Sequence, residues 1–278
     1  MTSPYIVVAT DFSARADRAI DRARQLSLEL GWGLRAVHAL EVEEADHAER
    51  ATLERRMRQC VMAGPEDGVE FAFPVGSPPR AVARCGEAED VALLVVGPAR
   101  YNSLGDYLMG TAVDYILRHT AKPVLVVKNR PYQPYRSIIA GTDFSEASAD
   151  AILAAARLFP KASVHIVHGW HVPFDGWQQD RYVEGQSEAG FAAQMEQFVA
   201  ALAAQEPRLG DATHELVRGA PGDAVRRALE LDPAALVVAG SYGASGLRQA
   251  VLGSVVSDLL RQIDADMLVL TPGKTKPR

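Results

Sequence analysis

The sequence predicts an α/β protein of two tandem doubly wound domains, each a five-stranded parallel sheet with helices on both faces. Two observations lead to this prediction. The first is an internal repeat: Thr10-Asp11-Phe12-Ser13 recurs as Thr142-Asp143-Phe144-Ser145, and Val37-His38-Ala39 recurs as Val167-His168-Gly169. The second is the alternation of short, nearly continuous apolar runs with segments of helical spacing. That alternation is typical of parallel sheets that are buried on both faces.

The apolar runs and the helical spacing assign the elements of each half. In the first half we expect strands at 6–10, 34–39, 68–74, 91–96 and 123–128, and helices at about 46–63, 79–88 and 110–119. One further helix follows the first strand, where Ser13 is placed to cap it and Gly31 to end it. The second half repeats the strands at 137–142, 163–168, 212–217, 234–239 and 266–271.

The repeat also sets the domain organisation. We expect a first domain over residues 1–131 and a second over 135–273, joined at Asn129–Pro134, where two prolines favour an extended linker. The second half is longer, and its additional residues lie mainly at 171–190. A segment of this length following a strand is a lid over the ligand crevice, a long surface loop or a contact between the domains.

Composition excludes several classes of protein. The 278 residues are 48% hydrophobic and 23% charged, with a net charge of −6, which argues against a general nucleic-acid binder. Two cysteines, Cys60 and Cys85, make a disulfide framework improbable and favour a reducing compartment. No signal peptide is visible, and no apolar run approaches the ~18 residues that a membrane-spanning helix needs. We therefore expect a cytoplasmic protein that does not act at a membrane.

A glycine motif in the second half is the main candidate for a binding site. Gly240 and Gly243 follow an apolar strand, and Gly253-Ser254 opens the last helix. Glycines at a strand end leave backbone N–H groups accessible, and a helix start attracts anions, so together they suit a phosphate. The alternative is that these glycines only form turns.

The first half carries an altered copy of this motif. Gly97, Gly110 and Thr111 keep the spacing, but Arg100 stands where the second copy has Gly243. The arginine side chain either blocks the phosphate or binds it through its guanidinium. Because lost backbone donors usually cost more than a flexible surface cation returns, we predict that the first site is weakened or lost.

Acidic and histidine residues lie beside these motifs. Asp11 and Asp143 follow the first strand of each half, where a carboxylate either accepts hydrogen bonds from a ribose or an adenine amino group, or caps the next helix. Asp143 is the stronger candidate because its glycine motif is intact. His165, His168 and His171 resemble a metal cluster in spacing, but His165 and His168 point to opposite faces of a strand, which favours core or crevice-lining roles.

As a set, these motifs resemble the universal stress protein family, in a tandem form with two domains in one chain. The resemblance extends over nearly all of both halves. It is carried by both Thr-Asp-Phe-Ser motifs, by the Gly-x2-Gly-x9-Gly-Ser motif, and by the closing strands Lys122–Val127 and Met267–Leu270.

The resemblance implies roles for individual residues. In the nucleotide-binding branch of the family the glycine motif holds ATP, so Asp143 would contact the adenosine part and the backbone at Gly169 would line the adenine pocket. The phosphates would be held by Gly240, Gly243, Gly253 and Ser254. In the first half the corresponding, weaker set is Asp11, Gly97, Arg100, Gly110 and Thr111. The family also pairs domains through the last strand, which implies an internal pseudo-dimer and allows a homodimer through the same strands.

From these features we expect an ATP-binding stress-response module that is gated by the nucleotide, bound with or without Mg²⁺, and has little or no turnover. No nucleophile–base pair can be assembled from the motifs, so at most a weak ATPase is expected. The alternative is a scaffold or interaction protein of the same fold that binds no nucleotide.

Overall fold

A computed structural model describes residues 3–40, 47–64, 67–98, 112–170, 188–241 and 252–271. The chain divides into two compact units, and the boundary between them lies between Pro134 and Tyr135. We call them the first and the second unit and describe each by itself.

The first unit contains one parallel sheet with helices between its strands. Its elements are β1 (Tyr5–Ala9), α1 (Ala14–Leu30), β2 (Gly33–Val37), α2 (His47–Cys60), β3 (Glu70–Ala72), α3 (Pro78–Gly86), β4 (Val91–Val96), α4 (Ala112–His119) and β5 (Val124–Val126). The strand order is β3-β2-β1-β4-β5, and neighbouring strands run parallel.

The second unit repeats this plan. Its elements are β6 (Ser137–Gly141), α5 (Glu146–Leu158), β7 (Ser163–Trp170), α6 (Glu188–Gln205), a 3-10 turn (Pro207–Asp211), β8 (Thr213–Arg218), α7 (Pro221–Leu231), β9 (Leu236–Gly240), α8 (Ser254–Gln262) and β10 (Met267–Leu270). The strand order is β8-β7-β6-β9-β10, again parallel. The predicted α/β class, with five parallel strands in each of two tandem units, is confirmed.

The central strands are buried because helices cover both faces of each sheet. Ile6, Val7 and Val8 of β1 are fully buried, as are Val237 and Val238 of β9. This burial explains why these strands are continuous apolar runs rather than alternating ones. The predicted strand at 68–74 is shorter in the structure, where β3 is an edge strand of three residues with exposed or half-buried side chains.

The first helix of each unit begins at the serine of the repeated motif. The Ser13 hydroxyl accepts a hydrogen bond from the Ala16 N–H, and α1 ends at Gly31, which adopts a left-handed φ of 65°. A side chain is disfavoured in that conformation, so glycine is the suitable terminator. Ser145 caps α5 in the same way. The predicted start and end of the first helix are confirmed.

The topology places a crevice at one edge of each sheet. The strand order reverses at β1, which pairs with β2 on one side and β4 on the other, and the same holds for β6 between β7 and β9. Ligands of doubly wound sheets bind beyond the carboxyl ends of the strands at this reversal. The repeated motif and the first glycine of each glycine motif lie there.

The two cysteines form no disulfide. Cys60 and Cys85 are free, half-buried thiols, and burial raises the pKa of each. Because the thiolate is the reactive form, a raised pKa makes both poor nucleophiles. Among the described helices, none has the length and apolar character needed to cross a membrane.

Candidate functional site

The Thr-Asp-Phe-Ser motif forms the same turn in both units. In the first, the Thr10 hydroxyl oxygen accepts from the Phe12 N–H at 3.0 Å, and Asp11 Oδ1 accepts from the Ser13 N–H at 3.0 Å. In the second, the corresponding distances are 2.9 and 3.1 Å. The two phenylalanines adopt left-handed φ angles of 58° and 62°. Such angles are uncommon for bulky residues, so the side-chain hydrogen bonds hold a strained turn at the mouth of each crevice.

In each unit the serine of the motif, and not the aspartate, caps the following helix. The helix caps are Ser13 and Ser145, whose side chains accept from the first helical turn. Asp11 and Asp143 instead stabilise the turn that precedes the cap. Their carboxylates therefore lie at the carboxyl ends of β1 and β6, where the crevice begins. A ligand contact at Asp143 stays a prediction.

A histidine completes each turn, and sequence reasoning gave this role to neither residue. His38 Nδ1 lies 2.9 Å from the Thr10 carbonyl oxygen, and His168 Nδ1 lies 2.7 Å from that of Thr142. A carbonyl oxygen only accepts, so Nδ1 carries the proton and Nε2 of the neutral ring is an acceptor. Each ring also packs on the motif phenylalanine, with centroids 4.3 Å apart. The repeated Val-His pair was the signal that could have identified them.

Gly240 is required by the packing of the second unit itself. A Cβ built there would lie 2.3 Å from the Ala147 carbonyl oxygen, inside the first turn of α5. Gly169 is similar, because its Cβ would lie 2.7 Å from Pro221 Cα at the start of α7. Both glycines thus let helix starts approach strand ends. Their predicted contacts with a nucleotide remain untested by this geometry.

The corresponding positions of the first unit are less crowded. A Cβ on Gly97 would lie 3.3 Å from the Arg15 carbonyl oxygen, about 1 Å farther than at Gly240. The counterpart of Gly169 is Ala39, which carries a Cβ. The helix starts of the first unit therefore stand farther from the strand ends.

A cavity of about 640 Å³ occupies the crevice of the first unit. Its walls are formed by the ends of β1, β2 and β4 and by the first turns of α1, α3 and α4. Apolar side chains provide most of the lining. The polar side chains that face it are Thr10, Asp11, Ser13, Arg15 and His38.

The helix start after the glycine motif differs between the units. The N-cap of α8 is Gly253, which has no side chain to cap the helix, and the first turn of α8 has no acidic residue. The first turn of α4 contains Asp114 at the position of Ser257, 143 residues earlier. Because a helix start carries partial positive charge, an aspartate there competes with a bound anion. Sequence reasoning missed Asp114 because it lies outside the motif.

Several predicted site residues cannot be placed. Gly243, Arg100, Gly110 and Thr111 lie outside the described residues, as do residues 171–187 of the insertion predicted at 171–190, whose last three residues open α6. Of the remaining set, the structure brings Asp143 and Gly240 to the carboxyl ends of the paired strands β6 and β9. Gly253 and Ser254 open α8, which follows β9 in the chain.

The two histidines of β7 have different hydrogen-bond partners, and His171 lies outside the described residues. His165 Nδ1 bonds to the Thr213 hydroxyl on β8, whereas His168 bonds back to the turn of the motif. Within the described part of the chain, no group of three His, Cys, Asp or Glu side chains is arranged to hold a metal ion. The prediction that these two histidines point away from each other agrees with their separate partners.

The family assignment follows from a comparison of the sequence with family models. The model of the universal stress protein family matches residues 4–128 and again residues 134–271. The chain belongs to the universal stress protein family. The two matches cover one unit each and nearly the whole chain, so this member of the family carries its domain in tandem. No curated protein sequence matches the chain closely enough to count as a relative.

Solved structures of universal stress proteins share the fold of the whole chain. One from Archaeoglobus fulgidus DSM 4304 is 16% identical with a TM-score of 0.65, and covers 99% of this chain and 98% of its own. One assigned as a putative universal stress protein of Pseudomonas aeruginosa UCBPP-PA14 is 18% identical, also with a TM-score of 0.65, and covers 97% and 94%. A universal stress protein in complex with cAMP matches 46% of this chain, with 23% identity and a TM-score of 0.38.

Proposed function

We propose that the second unit binds an adenine nucleotide, ATP with or without Mg²⁺, in the crevice between β6 and β9. Binding would change the shape or self-association of the protein, which acts as a stress-response module with little or no turnover. The observation that carries the proposal is the start of α8, which has no acidic residue in its first turn and no side-chain cap. Because α8 connects the parallel strands β9 and β10, it begins at the sheet edge where Asp143 follows β6.

The start of α8 has the properties of an anion site. The first N–H groups of a helix have no partner inside the helix, and the aligned peptide dipoles place about half a positive charge there. Gly253 supplies no side chain to satisfy them, and the first turn contains only Ser254, two valines and Ser257. The Ser254 hydroxyl is exposed and adds one more donor. These groups suit the phosphates of a nucleotide.

The turn of the motif suits the other end of the ligand. The Asp143 carboxylate and Nε2 of His168 are both acceptors, and ribose hydroxyls and an adenine amino group are donors. Phe144, Phe191 and Phe198 add an aromatic cluster around His168 and the motif turn. Hydrogen-bond acceptors at the motif turn suit the ribose and the adenine, and hydrogen-bond donors at the start of α8 suit the phosphates.

The first test is direct detection of the nucleotide. The purified protein is denatured, and the supernatant is analysed by mass spectrometry; ATP binding to the nucleotide-free protein is then measured by calorimetry. We expect bound adenine nucleotide, and saturating ATP should raise apparent stability by about 2.7 kcal/mol at 100 times Kd. Phosphate release should stay near the level of ATP alone. A protein that carries no nucleotide and is not stabilised by ATP would be the non-binding scaffold of the same fold.

Two variants of the second unit, each compared with a variant of the first unit, locate the site. Gly243→Arg writes the first-half motif into the second half and should abolish ATP binding, whereas Arg100→Gly should leave the affinity of the existing site unchanged. Ser257→Asp introduces into the first turn of α8 the carboxylate that Asp114 supplies in α4. It should weaken ATP binding about tenfold, because a carboxylate there competes with the phosphates for the positive end of the helix. The matched control, Asp114→Ser, changes the same position in the first unit and should not weaken it. If Gly243→Arg binds ATP normally, the nucleotide site does not lie in the second unit.

A further inference from the structure

The second unit contains a buried serine hydroxyl at the end of a central strand. Ser241 follows Gly240, the last residue of β9, and its side chain is fully buried. Within the described part of the chain, the Ser241 hydroxyl has no hydrogen-bond partner. We propose that this hydroxyl is a phosphate-binding donor, which bonds to a phosphate oxygen held at the start of α8. The inference rests on the proposed function and adds a residue to the same site.

An unpartnered hydroxyl in this position calls for an explanation. A hydroxyl that leaves water without gaining another partner destabilises the folded protein, and nearly all buried polar groups are therefore hydrogen-bonded. A bound ligand that accepts from Ser241 would remove this cost. The direction of the side chain indicates which part of a ligand it would meet.

The side chain of Ser241 points away from α5. A Cβ on Gly240 would meet the Ala147 carbonyl oxygen in the first turn of α5, so position 240 faces that helix. The Ser241 N–H donates to the Leu270 carbonyl oxygen of β10, and Ser241 thus continues the strand. Successive side chains of a strand alternate between the two faces of the sheet. The hydroxyl therefore lies on the face opposite to α5.

The helices α7 and α8 cover that opposite face. A Cβ on Gly141 of β6 would lie 3.7 Å from Val225 of α7. Its neighbour Ala140 pairs with Val238 of β9, two residues before Gly240. Residues in register point to the same face, so Gly141, and with it α7, lies on the side away from Gly240. Since α8 contacts α7 and begins at the carboxyl ends of the strands, its start and the serine hydroxyl share one face and one edge of the sheet.

The hydroxyl and the helix start together suit an anion with several acceptor atoms. A serine hydroxyl donates one hydrogen bond, and the N–H groups at the start of α8, where Gly253 provides no side-chain cap, are donors as well. A phosphate accepts from several donors at once and is attracted by the positive end of a helix. A hydrogen bond to a charged oxygen is also about twice as strong as a neutral one.

The first unit has a proline at the corresponding position. Pro98, 143 positions before Ser241, follows Gly97 as Ser241 follows Gly240. Proline has neither a hydroxyl nor a backbone N–H, so both donors are missing at that position. The two units therefore differ at the end of a central strand, at a position outside the glycines of the motif.

The test compares the stability of the ligand-free protein with its affinity for phosphates. Ser241→Ala removes a buried hydroxyl that has no partner, so it should raise the melting temperature of the nucleotide-free protein by about 2 °C. The same change should weaken the binding of ATP and of tripolyphosphate about tenfold, because a hydrogen bond to a charged oxygen is lost. Calorimetry measures both affinities, and tripolyphosphate reports on the phosphate site without the adenosine part.

Two other buried hydroxyls provide the controls. Thr120 precedes β5 in the first unit, at the amino ends of the strands, and its hydroxyl is also buried without a partner in the described structure. Thr120→Val should raise the melting temperature and leave the affinity for ATP unchanged. The Ser148 hydroxyl, in contrast, bonds at 2.8 Å to the Thr142 hydroxyl and at 2.8 Å to the Ser145 carbonyl oxygen. Ser148→Ala should therefore lower the melting temperature.

The outcomes separate this inference from the proposed function. If Ser241→Ala binds ATP and tripolyphosphate as tightly as the unchanged protein, the inference is wrong and the proposed function stands. A lower melting temperature of ligand-free Ser241→Ala would also overturn it, because the hydroxyl would then have a partner without the ligand. If the unchanged protein binds tripolyphosphate through Ser241 but does not bind ATP, the proposed function is wrong and the phosphate site remains. If the protein binds neither ligand, both are wrong.

Discussion

The two crevices share one turn and differ in how closely their helices approach the sheet. The Thr-Asp-Phe-Ser turn and the histidine packed on it have nearly the same hydrogen bonds in both units. In the second unit, however, a Cβ on Gly240 would clash with the Ala147 carbonyl oxygen at the start of α5. A Cβ on Gly97 would lie about 1 Å farther from the corresponding oxygen, that of Arg15 at the start of α1. The same turn in both units therefore does not imply the same pocket. Residues outside the turn set the space and the charge that a ligand meets.

The largest expected effect on stability comes from adding a Cβ to the glycine at the end of a central strand in each unit. Gly240→Ala places a Cβ 2.3 Å from the backbone oxygen of Ala147, which cannot move without displacing α5. We expect it to lower the free energy of unfolding by about 3 kcal/mol, at the upper end of the usual cost of overpacking. Gly97→Ala places its Cβ at 3.3 Å and should cost about 1 kcal/mol or less.

Urea denaturation followed by circular dichroism compares the two variants, and hydrogen exchange identifies the unit that is affected. Equal costs at Gly97 and Gly240 would contradict the difference between the crevices. A small cost at Gly240 would mean that α5 shifts easily, and the glycine would then have to be explained by a ligand rather than by packing.

A buried hydrogen bond of the second unit gives the next effect. The Tyr135 hydroxyl donates to Asp266 Oδ2 at 2.6 Å, and both residues are nearly fully buried. Tyr135→Phe removes a donor to a buried carboxylate and should cost about 2 kcal/mol. The first unit has Pro123 at the position of Asp266, so no carboxylate stands at that position.

The control for this prediction is Tyr132→Phe, since Tyr132 is 76% exposed and its hydroxyl is free to bond to water. That variant should unfold like the unchanged protein. If Tyr135→Phe also does so, other partners of Asp266 are sufficient to keep the carboxylate satisfied.

The fold was predictable because its signals are local or repeated. Apolar runs gave the strands, Ser13 and Gly31 gave the limits of α1, and the repeat gave the second sheet. The edge strand β3 was predicted too long because its side chains are only partly buried, and a run of seven residues does not show which of them pair.

The site was predictable only in part, for a physical reason. The sequence shows that Gly240 is a glycine but not that Ala147, 93 positions earlier, occupies the space beside it. It shows Arg100 within the motif, but the charge of Asp114 matters only once α4 is known to begin at the crevice. His38 is one histidine among seven until its ring is placed on Phe12. Contacts between distant segments decide each case.

The units also differ at one equivalent position of their second strands. In the first unit Arg35 lies between Glu70 and Asp90, at 2.7 Å from each, and this guanidinium lowers the pKa of the Asp90 carboxyl. The pKa of Glu70 is lowered first by its hydrogen bond from Tyr5 and then by that from Arg35. In the second unit the position is His165, which contacts Thr213 and lies 3.9 Å from Glu215.

The smallest expected effect is a difference in acid sensitivity that follows from this exchange. Burial lowers the pKa of His165 below its ordinary 6.5, with Glu215 opposing and His214 reinforcing the shift. A histidine whose pKa is lower in the folded state binds fewer protons folded than unfolded, so its stabilisation is present above pH 6.5 and is lost as the pH falls through the folded pKa. The lowered pKa values of Glu70 and Asp90 act only below their ordinary values of 4.5 and 3.8.

Acidification from pH 7.5 to 5.5 should therefore weaken hydrogen-exchange protection in β7 more than in β2, after correction for the intrinsic exchange rate. His165→Gln removes the titrating group while keeping a hydrogen-bonding side chain, and it should reduce the loss in β7 without changing β2. Arg35→Gln is the matched change in the first unit; it should weaken β2 by a similar amount at both pH values, because its carboxylate partners stay ionised throughout that window. An equal loss of protection in β7 with and without His165 would assign the acid sensitivity to other groups and remove this distinction between the units.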